Sequence, residues 1–434
     1  MAVVAILRLL RVPTWTAEAN AEMTSNVPNY QLHEHPTVSV VTAHGRQRLR
    51  SEGDDRLIDV LKRNGVPWSG VSTFAVSKFT GATILYPCLS ASLSTLEDVS
   101  EILVYFNRNV NPFVFSFDQF QTVEAADAAI EATEYFYQRL DNTRAESELY
   151  LKKLSSQECQ SVVAERVAEA VRDTVPPSTD LVVGVSGGGD SNALLHGLSR
   201  VTNHGLVVHG LIIKGIPEWN LGVPRIRELC DYYGVELKVM EEPEVKDLLR
   251  IPRSSGSLID SFQREFKGDD WEFLGTLLIR LALSQHARNL NTSYICTGLN
   301  LEDLLCESIY RISTGLRPAP FPSRTIGDIT LVFPLWLCPK KIIDGCFPRF
   351  SLDNYDARYP CFSLGRNLYY SVVYSIQSQF PGFSEQLVRG LSRLSLTDSV
   401  KYTLDEELGF HVERSVPLPL LHKFKRMIGA HHSA

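Results

Sequence analysis

The sequence has no Cys-x-x-Cys pair, no long apolar run and no strong excess of either charge. Its eight cysteines stand at positions 88, 159, 230, 296, 306, 338, 346 and 361. They are too sparse for a disulfide scaffold, and the usual spacing of a structural zinc site is missing. Zinc is not expected, and reduced thiols in a cytoplasmic protein are the simplest reading. No segment approaches the roughly 18 consecutive apolar residues that span a bilayer, so no membrane partner is expected. Residues 1–12 are apolar, but Arg8 and Arg11 fall inside and after that run, whereas a signal peptide places its charge ahead of it. Residues 1–36 are therefore read as a loosely ordered leader. The net charge of −7, from 43 basic and 50 acidic side chains, is too mild for a protein that coats nucleic acid by bulk electrostatics.

What is present fits a globular chain of two or three domains: 434 residues, 44% apolar and 21% charged. Residues 37–117 read as a small α+β, β-grasp-like domain. Val38–Thr42 has strand character, Gln47–Arg50 is a candidate second strand, and Leu57, Ile58, Val60 and Leu61 fall on one helical face. Short strand-like runs follow at 72–76, 82–86 and 102–106. Residues 118–178 are rich in Ala, Glu, Gln and Leu and predict two helices, 123–140 and 146–173. They form either a helical connector or a dimerisation element. From 179 to 395, strands alternate with helices, which predicts a parallel, doubly wound α/β domain. Residues 396–434 are a mildly basic C-terminal extension.

The chemistry-bearing stretch is Leu181-Val-Val-Gly-Val185 followed by Ser186-Gly187-Gly188-Gly189-Asp190-Ser191. A buried-type strand runs into a glycine turn, and a helix follows at once. Glycines let the backbone approach a ligand, and a helix N-terminus offers N–H groups and a positive dipole to an anion. Ser186 and Ser191 add hydroxyls. The construction suits a pyrophosphate. Asp190 either holds a magnesium ion bridging that pyrophosphate or caps the helix. No Gly-Lys-Ser/Thr ending is present, so this is not a Walker A loop.

The element resembles the PP-loop of the N-type ATP pyrophosphatases. With Leu194-Leu195-His196 after it, it is most similar to tRNA-isoleucine-lysidine synthetases and tRNA 2-thiocytidine enzymes. Thr297-Gly298-Leu299-Asn300-Leu-Glu302-Asp303 is similar to that family's second motif near the ATP, with Leu299 in place of a histidine and Glu302 in place of an aspartate. Glu302 and Asp303 are either part of that motif or ordinary helix-start acids. Arg311 through Gly315, then Phe333-Pro334-Leu335, resembles the family's helix, glycine turn and returning strand. Asp353 to Asp356, Arg366-Asn367 and Pro381-Gly382-Phe383 resemble the end of the lysidine-synthetase catalytic domain, with Arg366 as a phosphate ligand or a helix cap.

The resemblance implies an adenine nucleotide alpha-hydrolase-like fold and adenylation of a carbonyl or amide oxygen, with ATP split to AMP and pyrophosphate. A nitrogen or sulfur nucleophile then displaces AMP, as in a ligase or a sulfurtransferase. It implies Asp190 and Asp303 as catalytic residues, and Ser186 to Ser191, Gly298 and Asn300 as ATP ligands. Arg311, Arg366, Cys306 and Cys338 are weaker substrate-binding candidates. ATP and magnesium are the expected cofactors. Thiolating members hold an iron–sulfur cluster on a Cys-x-x-Cys pair plus a later cysteine; here the corresponding Lys267-Gly-Asp-Asp270 has no cysteine and only Cys338 matches, so no cluster is expected. The expected acceptor is a small molecule or nucleobase. The alternatives are a tRNA, met by a patch with Lys340, Lys341, Arg311, Arg317 and Arg324, or a non-catalytic nucleotide-binding protein. The N-terminal domain is a candidate docking surface for a protein partner. Residues 1–170 hold 15 basic and 21 acidic side chains against 28 and 29 in the remainder, so the catalytic zone is nearly neutral.

Overall fold

The computed structural model describes residues 35–42, 45–66, 71–81, 83–85, 89, 91–106, 132–139, 147–215, 217–253, 256–265, 270–348, 350, 369, 372–373, 377, 382–396, 400–408, 410–413 and 418–427. The leader through residue 34 lies outside them.

The N-terminal domain comprises β1 (Thr37–Thr42), β2 (Gly45–Arg48), α1 (Leu57–Arg63), β3 (Val71–Ser77), β4 (Thr83–Leu85) and β5 (Val99–Phe106). Its sheet order is β2-β1-β5-β3-β4. β1 and β5 run parallel in the middle, and the other pairs are antiparallel. Leu57, Ile58, Val60 and Leu61 recur at helical spacing, and all four are buried against Val38, Val40, Ile102 and Val104. This mixed sheet under one helix is the β-grasp-like arrangement expected from the sequence.

The two-helix reading of residues 118–178 is corrected. Residues 118–131 and 140–146 lie outside the described residues. Between and after them stand β6 (Thr133–Arg139) and β7 (Ser147–Lys153), an antiparallel pair with Tyr135 opposite Leu151 and Tyr137 opposite Leu149. Aromatic and apolar residues at period two favour strands, and that pattern overrides the helix-prone composition. α2 (Ser156–Thr174) follows, started by a capping box in which Ser155 Oγ accepts from Glu158 N and Glu158 Oε2 accepts from Ser155 N. Arg166 on α2 donates to Glu134 of β6 and to the Leu337 carbonyl, which ties the hairpin to the large domain.

The large domain is built from β8 (Asp180–Gly184), α3 (Gly189–Ser199), β9 (Val207–Ile213), α4 (Pro217–Tyr233), β10 (Glu236–Met240), α5 (Glu242–Leu248), α6 (Leu258–Glu265), α7 (Asp270–Asn289), β11 (Tyr294–Thr297), α8 (Leu301–Ser313), β12 (Ser323–Ile326), β13 (Ile329–Val332), α9 (Lys340–Cys346) and α10 (Phe383–Leu396). Sheet order is β10-β9-β8-β11-β13-β12, parallel except for β12. Leu181 and Val183 face one core, with Ile212, Cys296 and Val332. Val182 faces the other, with Leu211, Ile213, Ile295 and Leu331. A strand buried on both faces reads as a continuous apolar run, which explains Leu181-Val-Val183. The chain leaves β8 toward β9 and β10, then returns to β11 on the other side of β8. That reversal is a topological switch point, where open α/β sheets bind ligands at their C-terminal strand ends.

Residues 396–434 are not a loose appendage where they are described. β14 (Tyr402–Asp405) and β15 (Phe410–Glu413) form a hairpin, and α11 (Leu418–Met427) buries Phe424 in the same core as α7 and α8. Arg311 of α8 makes a two-pronged ion pair with Glu413, at 2.9 and 2.6 Å. Both side chains are nearly buried, so truncating one strands the other's charge. Arg311→Ala or Glu413→Ala should cost about 3–5 kcal/mol of stability. Urea denaturation checks this, and an unchanged midpoint rejects it.

Candidate functional site

The loop after β8 begins where Val185 N makes the last ladder bond, to the Leu211 carbonyl at 3.0 Å. It is clasped by its two serines. Ser186 N donates to Ser191 Oγ at 2.8 Å, and the hydroxyls are 3.1 Å apart. Gly187 has φ +76°, and a Cβ there would lie 2.6 Å from the Gly222 carbonyl oxygen. Conversely, a Cβ on Gly222 would lie 2.0 Å from the Ser186 carbonyl oxygen. The backbone of α4 thus rests on the loop. α3 starts at Gly189, so the amides of Gly189, Asp190 and Ser191 have no carbonyl one turn back to bond. Glycine turn, first-turn amides, hydroxyls and helix dipole converge on one spot suited to an anion. Gly222 was not singled out from the sequence; α4 runs from 217 through Pro224 to 233.

The loop after β11 faces this cradle. An ideal Cβ on Gly298 would sit 3.8 Å from Asp190 Cβ. Asn300, buried, is the N-cap of α8 and forms a capping box with Asp303: Asn300 Oδ1 accepts from Asp303 N at 3.0 Å, and Asp303 Oδ2 accepts from Asn300 N at 2.9 Å. Asn300 Nδ2 also donates to Asp190 Oδ1 at 3.3 Å. Asp303 therefore holds the helix start that aims Asn300 at Asp190. Leu299 packs against the core rather than standing in for a polar group.

The sequence reading missed the site's cation. Lys340 begins α9 and is 7% exposed. Its Nζ lies 2.7 Å from Asp190 Oδ1 and 3.1 Å from Asp344 Oδ1. Its backbone N donates to Glu302 Oε2 at 2.9 Å, and Gln377 Nε2 donates to Glu302 Oε1, also at 2.9 Å. Burial raises the Glu302 carboxyl to about 7, against the lowering effect of those two hydrogen bonds. The Lys340-Lys341 pair was read as part of a basic surface; burial and the acids on two other elements give Lys340 a different role.

Other candidates are not brought to the site. Arg311 sits at the far end of α8, clamped to Glu413 and donating from Nε to the Arg317 carbonyl at 2.6 Å. Arg324 is paired with Glu307 and stacked 4.7 Å from the Phe333 ring centre. These arginines and Lys340 serve internal pairs, so they do not form the surface patch expected for tRNA. Cys306 lies in the core. The Cys338 thiol is fully buried and pushed up to about 12, which disfavours the thiolate a sulfur carrier needs. Arg366 lies outside the described residues. Among the described residues no helix is long and apolar enough to cross a membrane.

No protein-family model matches the sequence, and no curated protein matches it significantly. Solved structures do. The U34-tRNA thiolase NcsA from Methanococcus maripaludis aligns at 16% identity and TM-score 0.48, over 63% of this chain and 90% of its own. An NH3-dependent NAD synthetase from Campylobacter jejuni aligns at 14% identity and TM-score 0.31, over 56% and 95%. An NMN synthetase from Francisella tularensis aligns at 13% and 0.28, over 64% and 95%. With identities of 16% or less and TM-scores below 0.5, these are likenesses of fold alone.

One expectation is corrected by them. The absence of an iron–sulfur cluster was inferred from the missing Cys-x-x-Cys pair, yet the NcsA structure carries a 4Fe–4S cluster. Thiolate ligands need to be neighbours in space, not in sequence, so that spacing does not exclude a cluster. Among the described residues no three His, Cys, Asp or Glu side chains group to hold a metal.

Gly222→Ala should displace the loop and weaken ATP binding, with overpacking of this kind costing about 1–3 kcal/mol. Gly390→Ala, where a Cβ meets nothing within 4 Å, should bind ATP as the wild type does. Equilibrium nucleotide binding decides, and equal affinity in both variants rejects the contact's role. For Glu302, raised from 4.5 to about 7, the folded state holds a proton that the unfolded state has already lost. The stability it contributes is complete below 4.5 and is lost as pH rises through about 7. Wild type should therefore lose thermal stability relative to Glu302→Gln as pH rises across that window, with a constant difference above it. Parallel melting profiles reject this.

Proposed function

We propose that this chain is an ATP-dependent adenylating enzyme. It splits ATP to AMP and pyrophosphate to activate a carbonyl or amide oxygen of a small molecule or nucleobase. The observation that supports this reading is the anion cradle of Ser186 to Ser191 at the sheet's switch point, with Asp190 and Asn300 at its rim. A parallel sheet with its phosphate site at the strand ends leaves room for the nucleoside over those ends.

In the first step the acceptor oxygen forms a bond to the α-phosphorus, and the bond to the bridging oxygen of the β-phosphate breaks. The electron pair leaves with pyrophosphate. The first-turn amides of α3 and the hydroxyls of Ser186 and Ser191 hold that leaving group, where fixed donors in a partly buried site stabilise developing charge. Asp190 would hold a magnesium ion, since that ion favours one or two carboxylates plus substrate phosphates. When bound, it neutralises phosphate charge. In the second step a nitrogen or sulfur nucleophile attacks the adenylated carbon and AMP departs. The buried, weakly acidic Cys338 and the core position of Cys306 favour a nucleophile that arrives from outside the chain. The internal pairing of Arg311, Arg324 and Lys340 favours a small acceptor over a tRNA.

The test is the fate of labelled ATP with magnesium, screened against nucleobases, amino acids and tRNA. AMP and pyrophosphate should form in equal amounts, and Asp190→Ala should abolish both. ADP as the product, or AMP release unchanged in Asp190→Ala, rejects the proposal. Acceptor stimulation by tRNA alone rejects the small-molecule part.

A further inference from the structure

We infer that Lys340 is a pyrophosphate-binding residue that changes partner: its ammonium passes from Asp190 to the phosphate oxygens when nucleotide enters the loop, and this hands the Asp190 carboxylate to the divalent cation. The inference rests on the reading of the loop as an ATP site. Three features carry it. First, the lysine is built in rather than draped over the surface. Its backbone N–H is held by the buried Glu302, and its Nζ lies between Asp190 at 2.7 Å and Asp344 at 3.1 Å. Second, the carboxylate it touches belongs to the first turn of α3, whose amides line the cradle. An ammonium bonded there stands at the cradle's rim, within one side-chain rearrangement of a bound phosphate. A lysine on a four-carbon stem with three rotatable donors makes that move at little cost.

Third, the charges require a change of partner. A pyrophosphate entering beside an unneutralised Asp190 meets a like charge at short range, in a site where water screens poorly. The ion pair with Lys340 removes that repulsion before the ligand arrives. Once phosphate oxygens compete for the ammonium, Asp190 is left as a hard oxygen ligand next to those phosphates, the donor set a magnesium ion favours. Asp344, one turn along α9, stays paired to Lys340 throughout and keeps the lysine charged and at hand. No bond is made or broken in the exchange.

The test separates lysine from metal. Calorimetric titration with inorganic pyrophosphate in EDTA measures the lysine's share, and titration with ATP plus magnesium measures the complete site. In EDTA, Lys340→Met should bind pyrophosphate at least about tenfold more weakly than wild type, the scale of one lost charge-assisted hydrogen bond. Asp190→Asn, which frees the lysine and removes the like charge, should bind it about tenfold more tightly, while losing the gain that magnesium gives with ATP. Lys340→Arg should restore part of the loss. Circular dichroism confirms folding, and if Lys340→Met does not fold, Asp190→Asn and Lys340→Arg carry the test. Wild-type affinity in Lys340→Met, or no tightening in Asp190→Asn, overturns the inference alone. Wild-type protein that takes up neither ATP nor pyrophosphate overturns the loop assignment, and this inference with it.

Discussion

The backbone contact between Gly187 and Gly222 is the constraint on which the candidate site depends. The turn after β8 must expose N–H groups to a ligand while a helix lies directly on its other side. With α4 this close, neither position tolerates a Cβ. The positive φ at Gly187 then lets the chain reverse within the turn, so that Ser191 reaches back to the Ser186 amide. The clasp closes the loop with side-chain oxygen rather than backbone carbonyl, which leaves the first-turn amides of α3 directed outward. Sheet topology supplies the rest. The reversal between β8 and β11 places the Gly298 to Asn300 loop beside the cradle, because those strands are neighbours in space but not in sequence.

Charge behaves differently at the level of the chain and of the site. The large domain is nearly neutral overall, yet three acids and one lysine are gathered within it at Asp190, Glu302, Asp344 and Lys340. Full or partial burial makes each of them costly to ionise without a partner. The arrangement answers this locally: one lysine bridges two carboxylates, and the third carboxyl is raised by burial and accepts two hydrogen bonds. Electrostatics at this site is therefore decided over a few ångströms, and bulk acidity, concentrated in the first 170 residues, has no bearing on it.

Much of this was legible in the sequence because the signals are local. The run Leu181-Val-Val183, the glycine turn and the helix after it need only neighbouring residues to be read, and so do the helical face of α1 and the strand of β11. Glu302 and Asp303 were visible as helix-start acids. What was not legible depended on partners far along the chain. Lys340 stands 150 positions from Asp190, and next to Lys341 it resembles a solvated pair. Gly222 carries no marker of the loop it touches. The hairpin of β6 and β7 is hidden for another reason: its period-two pattern is local, but it sits among residues of helical composition that mask it.

The arginines read as a nucleic-acid patch have a structural role that reaches the site. α8 has the candidate site at its N-terminus, through Asn300, and the C-terminal hairpin at its other end, through Arg311 and Glu413. Arg324 adds a second, partly buried pair to the same helix at Glu307 and stacks on Phe333, the residue that opens the segment leading to α9. Both ends of α8 are thus fixed by polar contacts across the domain, and between them Leu301, Leu304 and Leu305 are buried. A helix held this way carries position along its length. The hairpin of β14 and β15 bears on the candidate site through α8: by anchoring Arg311 it fixes the helix whose first turn aims Asn300 at Asp190 and holds Glu302 against Lys340.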